Sequence, residues 1–248
     1  MQPVQKQVFE WDLAGHTVTL TFLDPHTRYR LFPPPRPAAD QAPQIAVTPE
    51  MLEQVRPFLP EDATDSFAEY RCLILLSARL LLRYRCCIFH AAAFRWRERA
   101  WLLTAPPGTG KTTQYLNWQR LFPGEIQMIS GDMPILESRE DGSVWVHPSA
   151  WNGKEKLRGA ESALLGGLVL LEQGKVDRIV PLSAQEGLVP LLQQFMVFPE
   201  TEEEILRIAG LLERMLLTAP HWKMVNRGGD ESTRLLRQTL EQSFQEAE

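Results

Sequence analysis

The chain has 248 residues, of which 44% are hydrophobic and 23% charged, and its formal net charge is -5. That length suits one large α/β body with a small appendage, or two modest domains, and supports a core without covalent staples. The acidic balance, with a pI near 5.7, excludes the basic face expected of a nucleic-acid binder. The three cysteines, Cys72, Cys86 and Cys87, are odd in number and share no repeated spacing. They read as reduced thiols, neither a disulfide framework nor a zinc site. The opening MQPVQKQVFEWD lacks the charged head and apolar stretch of a signal peptide. The most apolar run, CLILLSARLLL, is broken by Arg79 and is too short to span a bilayer. A cytoplasmic protein without membrane contact is expected.

In chain order, VFEWDL and the alternating HTVTLTF predict two half-buried strands joined at Ala14-Gly15. FPPPRPAADQAP is a proline-rich connector, because proline fixes φ and removes a backbone donor. Residues 1–60 are thus expected to form a small β-hairpin region with its connector, and residues 61–248 the main body. Thr64 or Asp65 can cap a helix over FAEYRCLILLSARLLLRY, which is apolar on most sides and therefore buried. CCIFHAAAF reads as one central strand and residues 101–104 as another. TAPPGTGKTT follows at once, then a helix over TTQYLNWQRLF with Leu116 and Leu121 on faces it could bury. IQMIS predicts a short buried strand ending at Gly131-Asp132, and ILESREDGSVWVHP a hairpin turning at Asp141-Gly142. ALLGGLVLLEQ fits a strand or a buried helix, and VDRIVPL a strand. EEEILRIAGLLERMLL has the apolar spacing of an amphipathic helix, and STRLLRQTLEQSF reads as a last helix.

The stretch at 104–113 carries the chemistry. A phosphate-binding loop needs glycine, four free positions, then Gly-Lys-Ser/Thr; here Ala105 takes the first place, followed by Pro106, Pro107, Gly108, Thr109, Gly110, Lys111, Thr112 and Thr113. Gly108 and Gly110 let the backbone curl so that N–H groups point inward at phosphate oxygens. Lys111 adds a point charge near the outer phosphates, the Thr112 hydroxyl can bind Mg²⁺, and the helix contributes its positive end. The first glycine mainly makes a turn out of the strand, and alanine is its least costly replacement.

Gly-Thr-Gly-Lys-Thr-Thr is similar to the loop of ATP-dependent phosphoenolpyruvate carboxykinases. The wider layout resembles their smaller relatives, the HPr kinase/phosphorylases and HPr-kinase-like proteins. FHAAAF resembles the histidine-bearing strand ahead of the loop in that group, MISGDMPIL places an Asp after the next strand, and SAWNGKE resembles a Pro-Trp-x-Gly-Lys-type loop. The resemblance covers roughly residues 65–200. It implies an α/β fold with a mixed sheet, flanking helices and a P-loop, an ATP- and Mg²⁺-dependent kinase activity, and a hydroxyl acceptor. That acceptor is a serine of a protein or peptide, or equally a small alcohol. HPr kinases form hexamers, so a homo-oligomer is a candidate state. Carboxykinase chemistry itself is disfavoured, because the chain is less than half the usual size of that enzyme.

Asp132 can hold Mg²⁺ with Thr112 or take the proton of an attacking hydroxyl. HPr kinases carry an Asp-Asp pair there, and the first member here is Gly131. His90 is either a hydrogen-bonded core residue or a group contacting the transferring phosphate. Trp151, Asn152 and Gly153 could shape an acceptor pocket around an exposed tryptophan, with Lys154 neutralising phosphate charge; the alternative is a plain surface loop. Arg227-Gly228-Gly229-Asp230 reads as a linker before the last helix or as a loop that holds an anion at that helix N-terminus; it lacks the lysine and preceding strand pattern of a phosphate loop, which favours the linker. Gly131 also encourages a second class of function, a nucleotide-binding regulator without turnover.

Overall fold

The computed structural model describes residues 8–31, 33–38, 44–153 and 155–245. β1 (Val8–Leu13) and β2 (His16–Thr21) form the expected hairpin, with Ala14 and Gly15 at its turn, both at positive φ. β3 (Arg36–Pro37) and β4 (Ile45–Ala46) complete a small sheet in the order β3-β1-β2-β4. Phe32 and residues 39–43 of the connector lie outside the described residues. α1 (Pro49–Val55) leads to α2 (Asp65–Leu81), whose Thr64 cap accepts the Phe67 N–H. Glu69 of α2 is fully buried, and its carboxylate accepts from the N–H groups of Leu23 and Asp24 and from the Thr27 hydroxyl. Three donors around one carboxylate offset its loss of water. They tie the small sheet to α2, and one cluster of buried apolar side chains runs from Phe9 and Trp11 through Leu73 and Ile74 to Ile135 and Trp151.

The main sheet contains β5 (Cys86–Ile88), β6 (Ala91–Trp96), β7 (Arg99–Thr104), β8 (Gln127–Ser130), β9 (Ile135–Ser138), β10 (Val144–His147), β11 (Ala163–Gln173), β12 (Arg178–Pro181) and β13 (His221–Asn226). Its order is β5-β9-β10-β11-β7-β6-β8, with β13 pairing both β11 and β12. β11 runs parallel to β7 and β13, whereas the other pairings are antiparallel. The fold is therefore α/β with a mixed sheet.

CCIFHAAAF is not one strand. It divides at Phe89-His90 into β5 and β6, opposite a matching break between β8 and β9 at residues 131–134. Hydrogen bonds from Phe89 N to the Pro134 carbonyl (3.0 Å) and from Ala91 N to the Asp132 carbonyl (2.9 Å) bridge the gap. Residues 86–96 thus follow residues 127–138 antiparallel nearly throughout, and the sheet curls on itself. Pro134 removes a ladder donor, and the His90 N–H turns instead to the Gln194 carbonyl (2.8 Å).

α3 (Lys111–Leu121), α4 (Ala184–Leu192), α5 (Glu202–Thr218) and α6 (Asp230–Gln245) flank the sheet. α5 starts with a capping box between Thr201 and Glu204. α3 buries Gln114, Tyr115 and Trp118 and leaves Leu116 48% exposed, which reverses the expected face. The surface it meets is aromatic: Trp118 packs 5.4 Å from Phe94 and 5.2 Å from Trp96, ring centre to ring centre. ALLGGLVLLEQ resolves as strand β11, paired with β10, β7 and β13. The three cysteines are buried and unpaired with one another, and burial pushes the Cys86 thiol up to about 12. Among the described residues no helix is long and apolar enough to cross a membrane.

Candidate functional site

Three adjacent strands, β7, β6 and β8, deliver the site at neighbouring ends. β7 ends at Thr104, and the chain turns through residues 105–110 into α3. Gly108 and Gly110 hold φ of 80° and 105°, a region that side-chain-bearing residues rarely adopt. Gly110 is the N-cap of α3 and offers no side-chain oxygen to the first-turn N–H groups. Those amides are left for an anion, and the helix dipole favours one. Thr109 braces the loop through its hydroxyl to the Pro106 carbonyl (2.8 Å). Gln173, at the end of β11, donates to the Gly108 carbonyl (3.0 Å). Pro107 and Gly108 are exposed, Thr112 is half-buried, and Thr113 is exposed.

Lys111 is only 7% exposed. Its ammonium donates to the Ala105 carbonyl (2.9 Å), approaches the Pro106 carbonyl at 3.5 Å and donates to His90 Nε2 (3.2 Å). Burial pulls its pKa below the usual lysine value, and the Asp132 carboxylate opposes that pull. His90 sits at the break before β6, held between its neighbours. The Thr104 hydroxyl donates to its carbonyl (2.9 Å), and its Nε2 lies 3.4 Å from Asp132 Oδ1. Lys111, His90 and Asp132, 42 positions apart at the extremes, therefore meet in one corner beside the glycine loop.

Gly131 is crowded by its neighbours, which would have to shift to admit a side chain. A Cβ there would lie 3.0 Å from both the Leu157 Cβ and carbonyl oxygen and 3.2 Å from the Asn152 carbonyl. The Gly131 N–H donates to that same Leu157 carbonyl (2.8 Å). Backbone occupies the place where a second carboxylate would stand. Asn152 is buried; it donates through Nδ2 to the Ser149 carbonyl (3.0 Å), and its Oδ1 receives the Ser130 hydroxyl (3.4 Å). Gly153 is exposed at φ 69° and abuts Asp132, where an added Cβ would sit 3.3 Å from the Asp132 Cβ. Trp151 corrects an expectation. It is fully buried, edge-on to Trp11 at 4.8 Å between ring centres, so it anchors the loop from behind and lines no open acceptor pocket. Lys154 lies outside the described residues.

Other groups near the corner carry no sequence signal of their own. Tyr70 of α2 faces it: burial first, then the Asp132 carboxylate, pushes its phenol up to about 12, so it stays an O–H donor. Gln194 contacts His90 through both backbone and side chain. A half-buried tyrosine within an apolar helix and a lone glutamine after a helix match no motif, and only the fold brings them here. Beneath α3, Gln114 donates to Asn226 Oδ1 (3.3 Å) and Ser232 (3.0 Å) and accepts from Thr233 (2.8 Å), locking the loop's helix to β13 and α6. The Arg227-Gly228-Gly229-Asp230 loop belongs to this seam. Gly228 accepts from Asn117 (3.0 Å), Arg227 pairs with Asp177 (2.9 Å), and Asp230 pairs with Arg120.

His147, before the 149–152 turn, bonds Ser162 (2.8 Å) and Glu137 (3.0 Å), which marks it as a structural residue. Among the described residues no three His, Cys, Asp or Glu side chains gather as a protein-only metal site.

No family model and no curated protein matches the chain. Among solved structures, the Hpr(Ser) kinase/phosphatase from Coxiella burnetii is similar at 13% identity, covering 64% of this chain and 96% of that one, with a TM-score of 0.27. A likeness at that score is a remote one, and the functional argument rests on the residues of the corner itself.

Proposed function

We propose that the chain is a nucleoside-triphosphate- and Mg²⁺-dependent phosphotransferase acting on a hydroxyl, with ATP as the donor. The observation that carries this reading is the corner itself. A glycine loop opens a helix, a buried lysine folds along that loop, its ammonium lies 3.2 Å from His90 Nε2, and that nitrogen lies 3.4 Å from Asp132 Oδ1. The loop amides and Lys111 would grip the phosphate chain. Thr112 and Asp132 supply a hydroxyl and a carboxylate, a hard oxygen pair that suits Mg²⁺ when phosphate and water oxygens complete its shell. Bound there, the metal would neutralise charge on the outer phosphates. Lys111 leaves its carbonyl partners for the phosphates, a direction favoured because an ammonium gains more from an anion than from neutral carbonyls. Gly153, exposed beside Asp132, leaves open backbone where an acceptor hydroxyl can approach. A serine of a protein or peptide and a small alcohol are equally compatible with these residues.

The packing at Gly131 favours one second reading, a nucleotide-binding regulator without turnover, because it removes the second carboxylate of the Asp-Asp arrangement. Incubation with Mg-ATP and candidate hydroxyl acceptors separates the two. ADP formed in step with acceptor phosphorylation supports the phosphotransferase; tight ATP binding with no ADP over hours supports the regulator. Absence of any calorimetric heat with ATP or GTP and magnesium removes both.

A further inference from the structure

We propose that Gln194 is a positioning residue that fixes the tautomer of His90, so that Nε2 faces the Lys111–Asp132 corner as a hydrogen-bond acceptor. Gln194 is 6% exposed and locked to His90 by the bond from His90 N to its own carbonyl (2.8 Å). The flanking chain reinforces this: Met196 N donates to the Ile88 carbonyl (3.0 Å), and Phe89 packs edge-on to Phe195 at 5.0 Å. The sense of the side-chain amide is then set from outside. Its Nε2 donates to the Pro190 carbonyl (3.1 Å), a group that can only accept. Oε1 is thereby turned to His90 Nδ1 (3.2 Å), and because Oε1 also only accepts, the ring proton must sit on Nδ1.

In a neutral imidazole the other nitrogen is then a bare acceptor. The partner it meets agrees: Lys111 Nζ, 3.2 Å away, can only donate. Asp132 Oδ1, 3.4 Å from the same Nε2, only accepts and pulls the other way. The Lys111 ammonium is nearer and the Gln194 amide fixes the far end, so two of the three groups of fixed sense demand the same tautomer. The opposite tautomer would point an N–H at the Lys111 ammonium and leave two acceptors, Gln194 Oε1 and His90 Nδ1, facing each other.

The consequence rests on the phosphotransferase reading. Once Lys111 engages phosphate, Nε2 is free to accept the hydrogen bond of an incoming hydroxyl. That bond turns the hydroxyl oxygen's lone pairs away from His90 and toward the outer phosphorus. Phosphoryl transfer depends mostly on such positioning, because its transition state needs little covalent help from the protein. Gln194 would therefore control acceptor orientation without touching substrate.

The test reads the ring directly in the full chain without nucleotide. Long-range ¹H–¹⁵N correlation on ¹⁵N-histidine protein, with His90 assigned by loss of its signals in His90→Asn, reports which nitrogen carries the proton. At a pH where the ring is neutral, the wild type is expected to show Nδ1 protonated and Nε2 bare. Gln194→Glu keeps an acceptor opposite Nδ1 and should keep that pattern. Gln194→Leu removes it; because Lys111 still donates to Nε2 without nucleotide, the substitution is read in a Lys111→Ala background, where it should shift the ring toward the Nε2–H form facing Asp132. A protonated Nε2 in the wild type, or a ring in folded Lys111→Ala protein that Gln194→Leu leaves unchanged, overturns the proposal. If Gln194→Leu does not fold, the wild-type and Gln194→Glu spectra decide. No nucleotide enters this measurement, so its failure is distinct from failure of the ATP titration that tests the phosphotransferase reading.

Discussion

In the proposed phosphotransferase reading Lys111 and Asp132 have separate roles, and single substitutions should separate them. Lys111→Ala removes the ammonium that would meet the phosphates, so the heat of Mg-ATP binding is expected to vanish or nearly so in calorimetry. Asp132→Asn keeps the shape but loses the charge. It should spare ATP binding and abolish Mg²⁺-dependent transfer, and unchanged turnover in that variant would take Asp132 out of the mechanism. Gly131 offers a third test. Gly131→Asp restores the paired acids on paper, yet its Cβ would meet the Leu157 carbonyl at 3.0 Å. The variant should lose about 1–3 kcal/mol of stability, read as a lower Tm, with no gain in turnover. The glycine turn, Lys111 and Thr112 were legible because they are near neighbours that open one helix, and Asp132 because it follows a short strand. The meeting of His90 with them was not, since a histidine in an apolar run looks the same whether it serves a core or a site.

At the scale of elements, α2 and the small N-terminal sheet behave as one unit because Glu69 joins them. Glu69→Ala would leave the Leu23 and Asp24 N–H groups and the Thr27 hydroxyl without their acceptor. At about 1–3 kcal/mol for each buried donor left bare, the loss should be several kcal/mol in denaturant unfolding, with faster proteolysis within residues 8–31. That coupling matters for the site, because α2 also carries Tyr70 toward Asp132. Local pattern predicted most elements well: the hairpin at Ala14-Gly15, the Thr64 cap and the α5 periodicity all rest on near neighbours. It failed where partners far along the chain decide. CCIFHAAAF has the composition of one strand, but its break at His90 follows from Pro134 and Gln194, distant residues that redirect its hydrogen bonds. Leu116 points outward because the facing surface is made by Phe94 and Trp96, which prefer Trp118.

At the scale of the whole molecule, the curled sheet responds to acid through the Glu137–His147 pair linking β9 to β10. Burial lowers the His147 pKa below its ordinary 6.5, with the Glu137 bond and charge opposing. Burial would raise Glu137, but the Arg139 and His147 hydrogen bonds outweigh it and hold the carboxyl below its ordinary 4.5. In both cases the unfolded chain binds more protons over the interval between the folded and unfolded pKa values, so stability rises with pH there. Stability should therefore be full above about pH 6.5, fall as the pH drops below that through the folded pKa of His147, and fall again below about 4.5. His147→Gln should remove the upper step in a Tm-versus-pH series and shrink the lower one to the part that Arg139 sustains.

The sequence by itself determined the parts whose physics is local: a glycine-lysine loop opening a helix, an aspartate at a strand end, capped helices and an α/β order. Only the tertiary structure decided what those parts face. Trp151 became a core anchor, Gly131 a point of backbone contact, and Gln194 the partner of His90. Each outcome depends on which distant chain segment packs against the residue. Burial and hydrogen-bond sense are properties of that neighbour as much as of the residue itself.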